Sequence, residues 1–456
     1  MVAWKSIPPA YVTLFLRINN KCHKGGAGPT QTVGLTHWGG PVGVARIEST
    51  AQPLHSSSED PVTTTTSLPA VDHRGPVTGR ERALAPDLIR GAMLLMIGLA
   101  NSANFAFAGQ PGVESAPHGF ERILNFLKLT FVDARAYPVF AVMFGYGLVQ
   151  LARRQRSSGA TPGAVRRILL KRNAWLIGFG LVHATLLYFG DFLGAYGVVG
   201  IICTLFLINR GDKFHRIVLA IWAFMAVEVL FVGAKAALAI VNSSGPAHAL
   251  TNTPNPSLAA SSYLGSLVDR LHEYPMHAAS VMGFIVIVWL GIWAARKQIL
   301  ENPGAHKTLL TRVAVGGLGL TVLGGLPLAL VGAGWMHVDE SAVDALSLLS
   351  HVSGMFGGPG YVALFGLLVL RIRKLSVPVR AISALGQRSL SGYLFQSVSW
   401  MILLAPFTLD LRFGSTAYTA ALVAIGVWVV SVAGAYAMSR RSYRGPAETL
   451  LRKLVY

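Results

Sequence analysis

Charge is scarce in this chain, and cysteine almost absent. Asp, Glu, Lys and Arg make up 13% of the 456 residues, about half the roughly 25% usual in soluble domains. Hydrophobic residues reach 52%, with a mean hydropathy of +0.51. With apolar runs recurring along the chain, this excludes an ordinary soluble globule. Of the two cysteines, Cys22 lies in a polar N-terminal region and Cys203 inside an apolar run. That usage excludes a disulfide framework and a CxxC metal site. P-loop and HExxH patterns are missing too, and Gly178-Phe179-Gly180 alone does not make a dinucleotide fingerprint. No internal repeat points to an inverted-repeat transporter.

The charge that exists is lopsided: 39 Lys and Arg against 20 Asp and Glu, for a formal net charge of +19. A gathered basic face would suggest nucleic acid. Here the cations are dispersed in short loops between apolar runs, so nucleic acid is excluded and the bilayer is the expected partner. Cationic clusters stand at Arg153, Arg154 and Arg156; at Arg166, Arg167, Lys171 and Arg172; at Arg210, Lys213 and Arg216; at Arg296 and Lys297; and at Arg371, Arg373 and Lys374. The intervening loops are neutral, acidic (Asp339, Glu340, Asp344) or mixed (Glu114, Glu121, Arg122, Lys128, Asp133, Arg135).

This alternation predicts an all-α polytopic membrane bundle of about ten spans with both termini cytoplasmic. The spans fall near residues 88–108, 136–151 and 174–188, then in a fourth ending at Asn209-Arg210. The rest lie near 217–241, 278–295, 313–336, 346–370, 390–409 and 417–438. Residues 1–80, Gly-, Pro- and Ser/Thr-rich, read as a disordered cytoplasmic tail. Residues 81–438 form the transmembrane domain, and 439–456 a basic cytoplasmic tail.

The chain is organised around residues 166–196. A basic run opens this stretch, an apolar helix carries His183, and the helix breaks at Gly190-Asp191. His183 lies roughly 16 Å of helix beyond Arg172, at 1.5 Å per residue. An imidazole there is either hydrogen-bonded to a neighbouring helix or serves as base, proton carrier or ligand in a polar cavity. Asp191 either caps the next helix or acts beside His183. Asp87 and Arg90 flank the start of the first span, complementing the helix dipole or binding an anionic group. Asn101 and Asn104 share one face of that span, as interhelical bonding requires. Glu228 and Lys235 lie on one face of the fifth span, seven residues apart and too far for direct contact. Residues 324–327 (Gly-Gly-Leu-Pro) and 357–360 (Gly-Gly-Pro-Gly) should kink or break the seventh and eighth spans, as packing kinks or around a central cavity.

Five blocks in order carry a resemblance. They are residues 82–91 (RALAPDLIRG), 140–147 (FAVMFGYG), the 166–196 stretch, 386–397 (GQRSLSGYLFQS), and Gly445-Pro446-Ala447-Glu448 with Arg452 and Tyr456. Together they resemble the YeiB-like family (domain of unknown function 418) of bacterial polytopic membrane proteins. The chain departs from that pattern at Phe192, Gly392 and Leu451. The resemblance implies a multi-pass protein of the bacterial cytoplasmic membrane.

The Asp87-x-x-Arg90-Gly91 opening is also similar to that of membrane acyltransferases, which pass acyl groups from a cytoplasmic donor to an acceptor across the membrane. By that analogy His183, charged or oriented by Asp191, is the general base. Asp87, Arg90, Arg388, Tyr393 and Gln396 bind substrate. Acyl-CoA is the co-substrate, with no other cofactor and no metal, and an unidentified small molecule is the acceptor. The alternative is a transporter or exporter with His183, Asp191, Glu228 and Lys235 along a proton or substrate path. A third reading is a non-catalytic accessory protein.

Overall fold

The computed structural model describes residues 83–412 and 416–456. The N-terminal stretch read as a tail, with Cys22 and Arg82, lies outside the described residues. The described chain is helical apart from a two-residue antiparallel pairing of Gly109–Gln110 with Thr253–Pro254. Its helices are α1 (Leu84–Ala106), α2 (Phe120–Phe131), α3 (Ala136–Ser157), α4 (Pro162–Leu186), α5 (Leu193–Ile202, continued by a π-turn at Cys203–Leu207), α6 (Asp212–His215), α7 (Ile217–Val241) and α8 (Pro256–Ala259). There follow α9 (Tyr263–Met282), α10 (Ile285–Arg296), α11 (Lys307–Gly332), α12 (Glu340–Gly354), α13 (Gly357–Arg371), α14 (Val377–Gly386), α15 (Ser389–Leu404), α16 (Ala417–Arg440) and α17 (Pro446–Val455).

Among the described residues four segments are long and apolar enough to cross a membrane: Leu84–Ala106, Asp212–Val241, Lys307–Gly332 and Ala417–Arg440. The bent pairs α9–α10 (46°) and α12–α13 (42°) raise that number to six. In α4 the basic cluster Arg166 to Arg172 falls inside the helix, and α3 ends on Arg154 and Arg156. Charge within these helices lowers their mean hydropathy.

Several starts and stops follow from local chemistry. Thr161 caps α4 by accepting the Ala164 N–H (3.3 Å), with Pro162 at the first helical position. Asp339 caps α12 through the Ala342 N–H (3.0 Å). α15 stops at Leu404 because Ala405, preceding Pro406, is extended at φ −71°, ψ 144°.

The structure departs from the sequence expectations in two places. The first interspan loop contains α2, whose Asn125 and Leu129 are buried. The eighth span breaks near residues 355–356 as expected, but α11 runs through Gly324 to Pro327 without a break. A proline inside a helix removes one backbone bond, and tight packing on both sides holds the remainder. The room left by these glycines is occupied by Arg135. A Cβ on Gly325 would lie 1.9 Å from its Nη2, and one on Gly357 would lie 3.0 Å from its Cγ.

Packing relies on close backbone approach. A Cβ on Gly145 of α3 would come within 2.0 Å of the Val288 carbonyl of α10, and one on Gly291 within 2.1 Å of the Val142 carbonyl. Two helices crossing at paired glycines bring backbone against backbone, the arrangement favoured where lipid cannot drive association. Around this crossing a large apolar cluster joins Ile89 and Leu94 of α1, Met143 and Tyr146 of α3, Tyr196 and Val199 of α5, and Val288 and Ile292 of α10.

Candidate functional site

The α4–α5 hairpin places the central residues. α4 ends at Leu186, and the short link Leu187 to Phe192 turns the chain back into α5. The helices touch at Gly180, where a Cβ would come within 2.1 Å of the Gly194 nitrogen and 2.5 Å of Asp191 Oδ2. Only a residue without a side chain leaves room there for a carboxylate.

Asp191 fills that room and does two things. Oδ2 accepts the Gly194 N–H (2.7 Å), satisfying a free donor in the first turn of α5. Oδ1 stands 3.0 Å from His183 Nδ1, with neither side chain exposed. This is ion-pair range, although the two atoms are not aligned as a hydrogen bond. Asp191 therefore meets both the first turn of α5 and the imidazole of His183.

On its other edge, His183 Nε2 is 2.8 Å from Ser397 Oγ of α15. Ser397 Oγ is also 3.4 Å from the Tyr393 carbonyl one turn earlier. Asp191, His183 and Ser397 thus form a buried line contributed by the hairpin and a distant helix. With a carboxylate beside Nδ1, the ring proton is favoured at Nδ1, leaving the Nε2 lone pair toward Ser397.

Aromatic and polar groups surround this line. The Tyr393 ring lies 4.9 Å from the imidazole, centroid to centroid, and its hydroxyl reaches the Gly190 carbonyl at 3.5 Å. Tyr274 and His277 of α9 face Asp191. Gln396 donates to the Leu94 carbonyl (3.1 Å) while its Oε1 meets no partner among the described residues. Asn104 bonds the Tyr188 hydroxyl (3.2 Å), as its place on α1 suggested, whereas Asn101 Oδ1 meets no partner among the described residues.

The remaining sequence-selected residues lie elsewhere. Asp87 and Arg90 approach each other at 3.6 Å near the start of α1, and the Arg90 guanidinium also lies against Gly147. Buried Arg388 donates to the Ala384 carbonyl (3.0 Å) and to the Tyr443 carbonyl, tying α14 to the loop before α17. Glu448 of α17 accepts the Leu390 and Ser391 N–H groups (2.8 and 3.1 Å), anchoring the start of α15. Half-buried Glu228 and exposed Lys235 are on α7, which packs chiefly on α12 and α10. Lys235 lies 4.6 Å from the Phe231 ring. The structure therefore gathers His183, Asp191 and Tyr393, sets Gln396 against α1, and leaves Glu228 and Lys235 on α7.

Sequence reasoning did not single out Ser397, Tyr274 or His277 as site residues. The one available signal was the four-residue spacing of Tyr393 and Ser397, which puts them on one helix face. Among the described residues no group of three or more His, Cys, Asp or Glu side chains is arranged to hold a metal ion.

Residues 294–456 match the family described as "Protein of unknown function (DUF418)". That segment contains Tyr393, Gln396 and Ser397, while His183 and Asp191 precede it. The uncharacterized protein YxaH of Bacillus subtilis (strain 168) is 25% identical over 421 residues, covering 84% of this chain and 96% of its own. An uncharacterized 39.9 kDa protein in the amylase 3' region of Bacillus acidopullulyticus is 32% identical over 127 residues, or 28% of this chain and 34% of that protein. The uncharacterized protein YeiB of Escherichia coli (strain K12) is 31% identical over 127 residues, covering 27% of this chain and 30% of its own length.

Proposed function

The chain belongs to the YeiB-like DUF418 family, and from that premise we propose a membrane-embedded acyltransferase centred on His183. About ten spans cross the bacterial cytoplasmic membrane, with both termini inside. The reading is supported chiefly by one observation: His183 lies between a buried carboxylate at 3.0 Å and a hydroxyl at 2.8 Å.

Nε2 accepts the proton of an acceptor hydroxyl as its oxygen attacks the carbonyl of an acyl thioester. The C–S bond then breaks, and the departing thiolate takes the proton back from the imidazolium, which Asp191 stabilises meanwhile. Ser397 Oγ marks where the acceptor oxygen sits. Its own proton can turn to the Tyr393 carbonyl, 3.4 Å away, and free Nε2 for the incoming group. As a nucleophile Ser397 is poorly placed, because it is inside α15, where backbone N–H groups bond within the helix and cannot form an oxyanion hole.

The donor is held at the cytoplasmic mouth, where half-buried Arg90 and Arg172 bring positive charge together and Asp87 orients Arg90. Arg388 contributes there by fixing α14 and the loop before α17. From Arg172 the acyl group must travel roughly 16 Å along α4. That distance suits a donor with a long flexible arm, such as acyl-CoA. Tyr393 and Gln396 position the acceptor beside His183. A transport path through His183, Asp191, Glu228 and Lys235 draws less support, since the latter two lie on α7, away from the hairpin.

Thiol release from acetyl-CoA by the purified chain tests this reading. The wild type is expected to exceed His183→Ala by about 10²- to 10⁴-fold, the usual contribution of a general base. A wild-type rate no faster than that of the variant overturns it.

A further inference from the structure

We propose that the outer face of α4, at its basic end, is a binding groove for an acidic phospholipid of the membrane leaflet it meets. The groove has a volume of about 530 Å³ and is formed by Arg166, Arg167, Leu170, Lys171 and Ala174 of α4 with Ile201 of α5. Spacings of three and four residues put the α4 members on one helix face. Leu170, Ala174 and Ile201 form an apolar floor, and three exposed cations stand along it. Among the described residues no carboxylate pairs with any of the three.

A second basic cavity, of about 280 Å³, shows the contrast. It contains Arg153, Arg156 and Arg296, but these are engaged by the protein itself. Arg296 and neighbouring Lys297 close on Asp212 at 2.6 and 3.0 Å. Arg156 bonds Asn209 (3.0 Å) and Arg153 bonds the Ala295 carbonyl (2.8 Å). Among the described residues the α4 groove has no such internal counter-ion, which leaves its charge to a ligand.

An apolar floor beside unneutralised cations complements a molecule with a hydrocarbon chain and an anionic phosphodiester. Free phosphate would leave the floor wet, and a zwitterionic lipid would bring a cation toward three others. Each cation near an acidic lipid surface adds to the attraction, so three give a clear preference for acidic over zwitterionic headgroups. The inference needs the chain to lie in a bilayer but is independent of any chemistry at His183.

Native mass spectrometry of the delipidated full chain in detergent tests it, with dioleoyl phosphatidylglycerol and dioleoyl phosphatidylcholine offered in equal amounts. Retention of phosphatidylglycerol should exceed that of phosphatidylcholine by at least about tenfold and survive excess inorganic phosphate. It should fall in the triple variant Arg166→Gln, Arg167→Gln, Lys171→Gln. It should also fall in Ile201→Trp, which fills the groove without altering charge or topology signals. Equal retention of the two lipids, displacement by phosphate alone, or unchanged retention in Ile201→Trp overturns the proposal.

Discussion

Arg135 and His183 are both basic side chains with almost no exposure, at 0% and 1%, yet their surroundings differ. Arg135, just before α3, reaches into the space between α11, α12 and α13. It donates to the Thr321 carbonyl and the Ser350 hydroxyl, each at 3.0 Å, and to the Asp133 carbonyl. Glycines on α11 and α13 make room for it. Among the described residues its partners are two backbone carbonyls and one hydroxyl, all accepting from it. His183 has a carboxylate on one side and a rotatable hydroxyl on the other. A group that can gain and lose a proton, with a charged partner to stabilise the charged form, is equipped for chemistry. Burial alone distinguishes nothing; the chemical type of the partners is what sets the proposed base apart from the brace.

That contrast is most exposed to failure at Arg135. Arg135→Ala is expected to cost about 3–5 kcal/mol of stability, since it empties a large packed volume and orphans buried acceptors. Thermal unfolding in detergent would register the loss, and an unchanged midpoint would remove Arg135 from the role of brace. Gly180→Ala attacks the other centre without touching its chemical groups. The added methyl must displace the Gly194 backbone or Asp191 Oδ2, 2.1 and 2.5 Å from its ideal position. The overpacking should cost about 1–3 kcal/mol, and moving the carboxylate away from His183 should slow thiol release along with it. Normal turnover in a folded Gly180→Ala protein would mean that the close hairpin does not position the base.

Ser397→Ala sharpens the comparison with the smallest effect. If Ser397 only occupies the acceptor's place, its loss removes one hydrogen bond, worth about 1 kcal/mol, and thiol release persists. Complete loss of turnover with retained folding would instead make Ser397 the nucleophile.

The sequence announced the His183 centre because polar groups in an apolar run stand out. His183 and the Gly190-Asp191 turn were readable from one segment, and their contact follows from the hairpin. Ser397 was not readable, since a mid-helix serine commonly bonds its own preceding turn and says nothing of a neighbour. Arg135 was hidden differently. One residue before an apolar run, it read as part of a mixed-charge loop, and only the packing of three glycine-bearing helices reveals the pocket that swallows it. Helix locations emerged well from apolar runs, while the bends at α9–α10 and α12–α13 depend on tertiary packing. α2 escaped notice because a 12-residue amphipathic segment is too short to register as a span.

Asp191→Asn gives the most direct test of the central claim, measured as thiol release from acetyl-CoA beside the thermal midpoint. The substitution keeps the size of the side chain and an oxygen for the Gly194 N–H while removing the charge beside His183. A base oriented and charged by Asp191 predicts a rate reduced by about 10²- to 10⁴-fold with folding largely preserved. A rate equal to that of the wild type, in a protein that unfolds at the same temperature, would contradict the account.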